Sequence, residues 1–294
     1  MNESLPLSYY FEFNLYDESM RRSYLEEFAV NGAKHLVLNF PLLSMCVEDR
    51  DMIHKIAGEM TAAGLSFKDA HAPYGDHYDL GCIFDHEIKS LIIRHKLHMQ
   101  IAALLNVKTM TFHIGRNFSI PHEAYMGRVC RMLDILLKEA QKCGVIMALE
   151  NSWSCFAVPD VLVELYEKFA CPNLGFCFDS GHANIMDNGR LYESGSAQDT
   201  WKASGYDRIP WITMQSTLEK MLPHIVNCHL HDNDGSCDQH RLPGQGNIDW
   251  NLVMPMLKEA PRLQVIQSEV VPSRSVVTVR ELTTCFNELL GKEY

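Results

Sequence analysis

The sequence predicts a single (β/α)8 barrel, on three observations. Eight short β-rich runs alternate with amphipathic stretches along 294 residues. Glycines close several of those stretches, and the chemistry-bearing side chains recur at the ends of the runs. The β-rich runs are "SYYFEFN" (8–14), "HLVLNFP" (35–41), "FKDAHAP" (67–73), "TMTFHI" (109–114), "IMALENS" (146–152), "LGFCFDS" (174–180), "IVNCHLHD" (225–232) and "VIQSEV" (265–270). Between them, stretches such as 86–106 and 122–144 place apolar residues at i, i+3 and i+4, the spacing of a helix with one buried face. Gly32, Gly64, Gly144 and Gly291 fall where a left-handed helix terminus is expected. An open doubly wound sheet rarely needs eight such units. No linker, repeat or low-complexity tract interrupts residues 1–294, so one domain is expected.

Composition narrows the function. Lys and Arg number 26 against 37 Asp and Glu, a formal net charge of −11. A protein that grips nucleic acid through phosphates needs the opposite balance, which argues against a nucleic-acid partner. No apolar run reaches the roughly 18 residues of a membrane span, and the N-terminus shows no basic segment followed by an apolar one. Ten scattered cysteines without a CxxC pair suggest a reduced, cytoplasmic protein.

In a parallel barrel, reactive groups gather at the C-terminal ends of the strands. Here those positions hold His71, His113 and Glu150 on the third to fifth runs. Asp179, with His182 just beyond, ends the sixth. His229 lies on the seventh, Asp238 and His240 in the loop after it, and Glu269 on the eighth. Any one of these alone reads as a hydrogen-bonded strand-end residue. Together they crowd carboxylates into one mouth, which is costly without a cation between them. His and carboxylate ligands without thiolate suit Zn²⁺ or Mn²⁺.

The loop "HDNDGSCDQHRLPGQGNIDW" (231–250) forms one wall. Asp238 and His240 are two apart and face one side when extended. Gly244 and Gly246 permit a tight turn and a close approach to a ligand, and Asn247 or Asp249 can cap the helix that follows. Asp232 either supports a ligand or contacts substrate, and His231 reads equally well as a solvated turn residue. Arg241 is the cation nearest the metal wall in sequence. Residues 183–215, polar and carrying Trp201 and Trp211, read as an ordered flap that closes over the site or, nearly as well, as an edge-packing insertion or an oligomer contact.

The motifs "HAPY", "FHIG", "ALENSW", "CFDSGHAN", "HLHDND" and "DQHRLPGQGNIDW", in this order, resemble the xylose-isomerase-like barrel superfamily. That superfamily holds sugar and sugar-phosphate isomerases and epimerases together with the endonuclease IV group. The resemblance to the ketose 3-epimerase branch implies one metal held by Glu150, Asp179, His229 and Glu269. The two Glu residues would shuttle a proton, and His182 would touch substrate. The resemblance to the endonuclease IV branch implies a trinuclear zinc cluster that adds His71, His113, His182, Asp238 and His240. One to three metals per chain are therefore expected. The acidic chain, Gly75 in "HAPYG" where that branch has an apolar wedge, and "GQG" in place of its "GEG" favour the sugar branch. The expectation is a metal-dependent isomerase or epimerase of a small sugar or sugar phosphate, with zinc-dependent phosphoester hydrolysis as the alternative. Relatives of this type often pair, so a homodimer fits the resemblance.

Overall fold

The computed structural model describes residues 5–291. Residues 1–4 and 292–294, which the single-domain expectation and the reading of the N-terminus include, lie outside the described residues. Eight parallel strands close into a barrel in sequence order: β1 Leu7–Tyr9, β2 His35–Leu38, β3 Ser66–His71, β4 Thr109–Phe112, β5 Ile146–Glu150, β6 Leu174–Asp179, β7 Ile225–Leu230 and β8 Val265–Ser268. Closure runs through β8 against β1, where Leu7 pairs with Ile266 and Tyr9 with Ser268. Every residue of β6 and β7 is buried. Side chains on one face fill the barrel and those on the other pack under the helices, so these strands lack a solvent-facing polar alternation.

The helices follow from their apolar stripes and termini. Helix His122–Cys143 buries Val129, Leu133, Leu136 and Leu137 along one side. It ends at Gly144, whose φ of 64° is the left-handed conformation that a side chain disfavours. Asp17 accepts from the Met20 N–H to start helix Glu18–Val30, and Thr278 with Glu281 forms a capping box on helix Val279–Leu289.

Two expectations change. The run expected at 8–14 is strand only over Leu7–Tyr9, and Phe13–Leu15 turns into a 3-10 helix. Phe11 there stacks on Tyr16 at 5.3 Å and meets Phe13 edge-on at 4.8 Å, so aromatic packing bends the chain away from the sheet. The stretch 183–215 is not an open flap. It finishes helix Ser180–Asn188, forms helix Ser196–Ala203 and two 3-10 turns, and starts helix Met214–Met221.

Beneath the C-terminal rim the barrel interior is polar. The Asn227 amide donates to Thr111 Oγ1 at 3.3 Å and to Asp69 Oδ2 at 3.4 Å, and Thr111 Oγ1 lies 3.3 Å from His229 Nε2. This layer fixes the His229 ring from below.

Candidate metal centre

Strand register aligns the polar residues at one rim. Asp179 on β6 pairs with His229 on β7, and Glu150 on β5 pairs with Cys177 on β6. Glu150 is the hub. Its Oε2 lies 2.6 Å from His113 Nε2 and 3.6 Å from His71 Nε2, and its Oε1 lies 3.3 Å from both His182 Nδ1 and His229 Nδ1. His229 Nδ1 also stands 3.0 Å from Glu269 Oε1 and 3.9 Å from Asp179 Oδ2. On the far side, His240 Nε2 is 2.5 Å and His182 Nε2 is 3.8 Å from Asp238 Oδ2. The structure thus brings His71, His113, Glu150, Asp179, His182, His229, Asp238, His240 and Glu269 into one mouth.

Backbone contacts orient several of these groups. The Ala72 carbonyl lies 2.7 Å from His71 Nδ1, and the Glu269 carbonyl 2.9 Å from His240 Nδ1. Each contact assigns the proton to Nδ1 and leaves Nε2 free to ligate. Asp179 caps helix Ser180–Asn188 by accepting the His182 N–H at 2.6 Å, so the helix start and the site share one side chain.

Charge in the site is mutually held. Burial alone would raise the Glu150 carboxyl, yet His113 and His229 beside it hold it well below the usual range. Burial likewise opposes ionisation of Glu269, and His229 overcomes it. Burial would depress the His240 imidazole, but Asp238 raises it to about 9. Several buried atoms still make no hydrogen bond: Asp179 Oδ2, Asp238 Oδ1 and both ring nitrogens of His231. Each buried polar atom left unpaired costs about 1–3 kcal/mol. A divalent cation accepts such lone pairs, so the donor set fits a divalent metal. Among the described residues, four groups have ligand atoms mutually within 4.8 Å, including His71–His113–Glu150, Glu150–Asp179–His229 and His231–His240–Glu269.

The centre opens into a cavity of about 620 Å³ whose walls include Tyr10, Tyr74, Trp153, Arg116 and Arg274. Trp153, part of "ALENSW", stands edge-on to His182 at 5.7 Å. Its place there is not legible from the sequence, since nothing in the spacing says that residue 153 turns back over the mouth. His231 is fully buried beside the ligands rather than solvated.

Three expected substrate contacts lie elsewhere. Asp232 is buried under its own loop, accepting from the N–H groups of Asn233, Gly244 and Ile248 and from the Trp250 indole. Arg241 pairs with Asp234 at 3.3 Å and donates to the Gln245 carbonyl. Trp201 donates to the Met186 carbonyl at 3.2 Å, behind the wall. No residue of 183–215 lines the cavity. Instead Ala203 and Ser204 hold Arg116, and Tyr206 donates to the Ser152 carbonyl, so this segment buttresses the wall. The close approach at Gly246 is to the chain itself: an added Cβ would lie 2.2 Å from the Asn233 carbonyl oxygen. Asp249 caps helix Trp250–Lys258.

A family model described as "Xylose isomerase-like TIM barrel" matches residues 45–267. An uncharacterised protein of Methanocaldococcus jannaschii is 27% identical over 165 residues, 55% of this chain and 49% of that protein, so the match spans about half the relative's length. Among solved structures, a D-tagatose 3-epimerase-like protein superposes with a TM-score of 0.71 at 19% identity, covering 98% of this chain and 97% of that one. The IolI protein with a bound zinc atom gives 0.71 at 16% identity, covering 99% of each chain. Likeness at these identities is likeness of fold.

Proposed function

The chain belongs to the xylose isomerase-like TIM barrel family, and from that premise we propose that it is a divalent-metal-dependent sugar isomerase or epimerase. The observation that carries the reading is the pair Glu150 and Glu269. They come from opposite flanks of the β6–β7 pair and stand 3.3 and 3.0 Å from His229 Nδ1. Two structural neighbours, the D-tagatose 3-epimerase-like protein and the zinc-bound IolI protein, are in keeping with it.

Glu150, Asp179, His229 and Glu269 would hold the ion, which when bound supplies Lewis acidity toward a carbonyl and its neighbouring hydroxyl. One of the two Glu carboxyls, ionised, takes the proton from the carbon beside the carbonyl, and the other, protonated at that point, delivers its own to the opposite face, so the pair carries one proton and exchanges protonation states in each turnover. The imidazoles beside them favour the ionised form that the base needs. His182 orients a substrate hydroxyl, and the Trp153 ring shields that side of the mouth from water. The two guanidinium groups at the cavity are already engaged, Arg116 by the Ala203 carbonyl and Arg274 by Glu12 at 2.8 Å. That favours an unphosphorylated sugar.

The His71–His113–Glu150 group favours a second reading, in which two or three zinc ions hydrolyse a phosphoester. One experiment separates the two. The metal-loaded protein and Glu269→Gln are assayed on a panel of ketoses and aldoses and on an abasic-site duplex. Loss of about 10²-fold or more in sugar turnover by Glu269→Gln, with the fold intact, is expected. Normal turnover by that variant sinks the acid–base assignment. Nicking of the duplex by wild type, without sugar turnover, establishes the hydrolase instead.

A further inference from the structure

We infer that His231 is a metal ligand and completes a second cation position beside the one built on His229; this rests on the reading of the site as a metal centre. His229 lies in β7 and His231 one residue past its end, and both side chains project into the mouth, against Glu269 and Asp179 respectively. The His231 ring is fully buried and neither nitrogen makes a hydrogen bond. Its backbone is fixed by Ser180, whose hydroxyl donates to the His231 carbonyl at 2.8 Å and accepts its N–H at 3.1 Å. The ring has a made-to-fit seat. It stacks on His240 at 4.1 Å, and a Cβ at position 181 would lie 1.9 Å from its Cε1, so only glycine admits it there.

The surroundings of Nε2 carry the argument. It lies 3.3 Å from Asp179 Oδ1, 3.5 Å from Asp238 Oδ1 and 4.0 Å from Glu269 Oε2. Ligands about 2.0–2.1 Å from a tetrahedral zinc stand roughly 3.4 Å from one another, so these groups are at ligand-to-ligand spacing. Asp179 and Glu269 each face both imidazoles. Asp179 Oδ2 and Glu269 Oε1 approach His229, while their other oxygens approach His231. Carboxylates that span two histidines in this way can bridge two cations. Asp179 Oδ1 also accepts the His182 N–H, which leaves it a further lone pair. Without thiolate, the set suits zinc over softer ions.

The test counts zinc on the full-length protein, saturated and then desalted, in wild type, His231→Leu and His231→Asn. Thermal melts verify that the variants are folded. The expected result is about one zinc fewer per chain in both variants, with a weaker visible absorption band after cobalt substitution. Wild-type stoichiometry and an unchanged cobalt spectrum in the variants overturn the inference and leave a metal-dependent isomerase standing. A wild-type chain that binds no divalent metal overturns both readings. Should neither variant fold, anomalous scattering from zinc-soaked wild-type crystals decides: a peak at bonding distance from His231 Nε2 supports the assignment, and its absence there overturns it.

Discussion

Asp232 sits among candidate ligands yet serves its own loop, and its four donors state what it does. Its Oδ1 accepts from Asn233 and Ile248, and its Oδ2 from Gly244 and the Trp250 indole at 2.9 Å. Asp232→Asn turns one acceptor into a donor facing N–H groups. With bonds to a charged acceptor worth about 1.5–3 kcal/mol each, a loss of about 2–4 kcal/mol is expected in urea denaturation. A change below about 1 kcal/mol would mean that the loop holds without it. Gly181→Ala tests the seat of His231 in the same way. Overpacking of this kind costs about 1–3 kcal/mol, and a variant as stable as wild type would show that the ring shifts freely. The metal-capable residues were legible because strand ends are readable from a period of two. The roles of Asp232, Arg241 and Trp201 were not, because their partners are set by how turns fold back. His231 escaped for the same reason: the segment that buries it, 233–248, carries no periodic signal.

Elements show the same division between period and packing. The long helix Ile88–Leu104 was legible from its spacing, but that spacing does not tell whether its His95 and His98 face solvent or the core. Both prove to be fully buried. Burial lowers His95 to about 4 and His98 to about 3, with the neighbouring Arg94 charge adding to each. The unfolded chain, with imidazoles near 6.5, therefore binds protons that the folded chain refuses. Their contribution to stability is complete above about pH 6.5 and is lost as the pH falls toward 4 and then 3. His98 makes no hydrogen bond through either nitrogen, so His98→Leu removes an unpaired polar group as well. The variant should gain on wild type as pH falls, read from urea midpoints at pH 7 and pH 5. Parallel loss in both proteins would contradict it. The first strand and the 183–215 segment were misjudged for a related reason. Aromatic contacts in the one, and helix caps with buried indole and phenol anchors in the other, override local composition.

At the scale of the whole molecule, the barrel concentrates its acidity. The net charge is −11, and Glu150, Asp179, Asp238 and Glu269 meet at one rim with imidazoles between them. The closed eight-stranded order was legible because each strand must be buried on two faces and each crossover needs a helix. How six strands would space their ligands was not, since it depends on shear and register rather than on sequence separation. That convergence couples the site to stability. A cation that binds only the folded arrangement stabilises it by RT ln(1 + [L]/Kd), about 2.7 kcal/mol at a hundredfold excess over Kd. Zinc should therefore raise the melting midpoint in proportion to the logarithm of its concentration, and a chelator should return it to the metal-free value. Glu150→Gln, which removes the carboxylate shared by four imidazoles, should flatten that response while the protein still melts cooperatively. Identical melting curves with and without zinc would mean that the unfolded chain binds the ion equally well or that the folded chain does not bind it. Titrating zinc into the chemically unfolded protein separates those two cases, and only the second removes the metal centre.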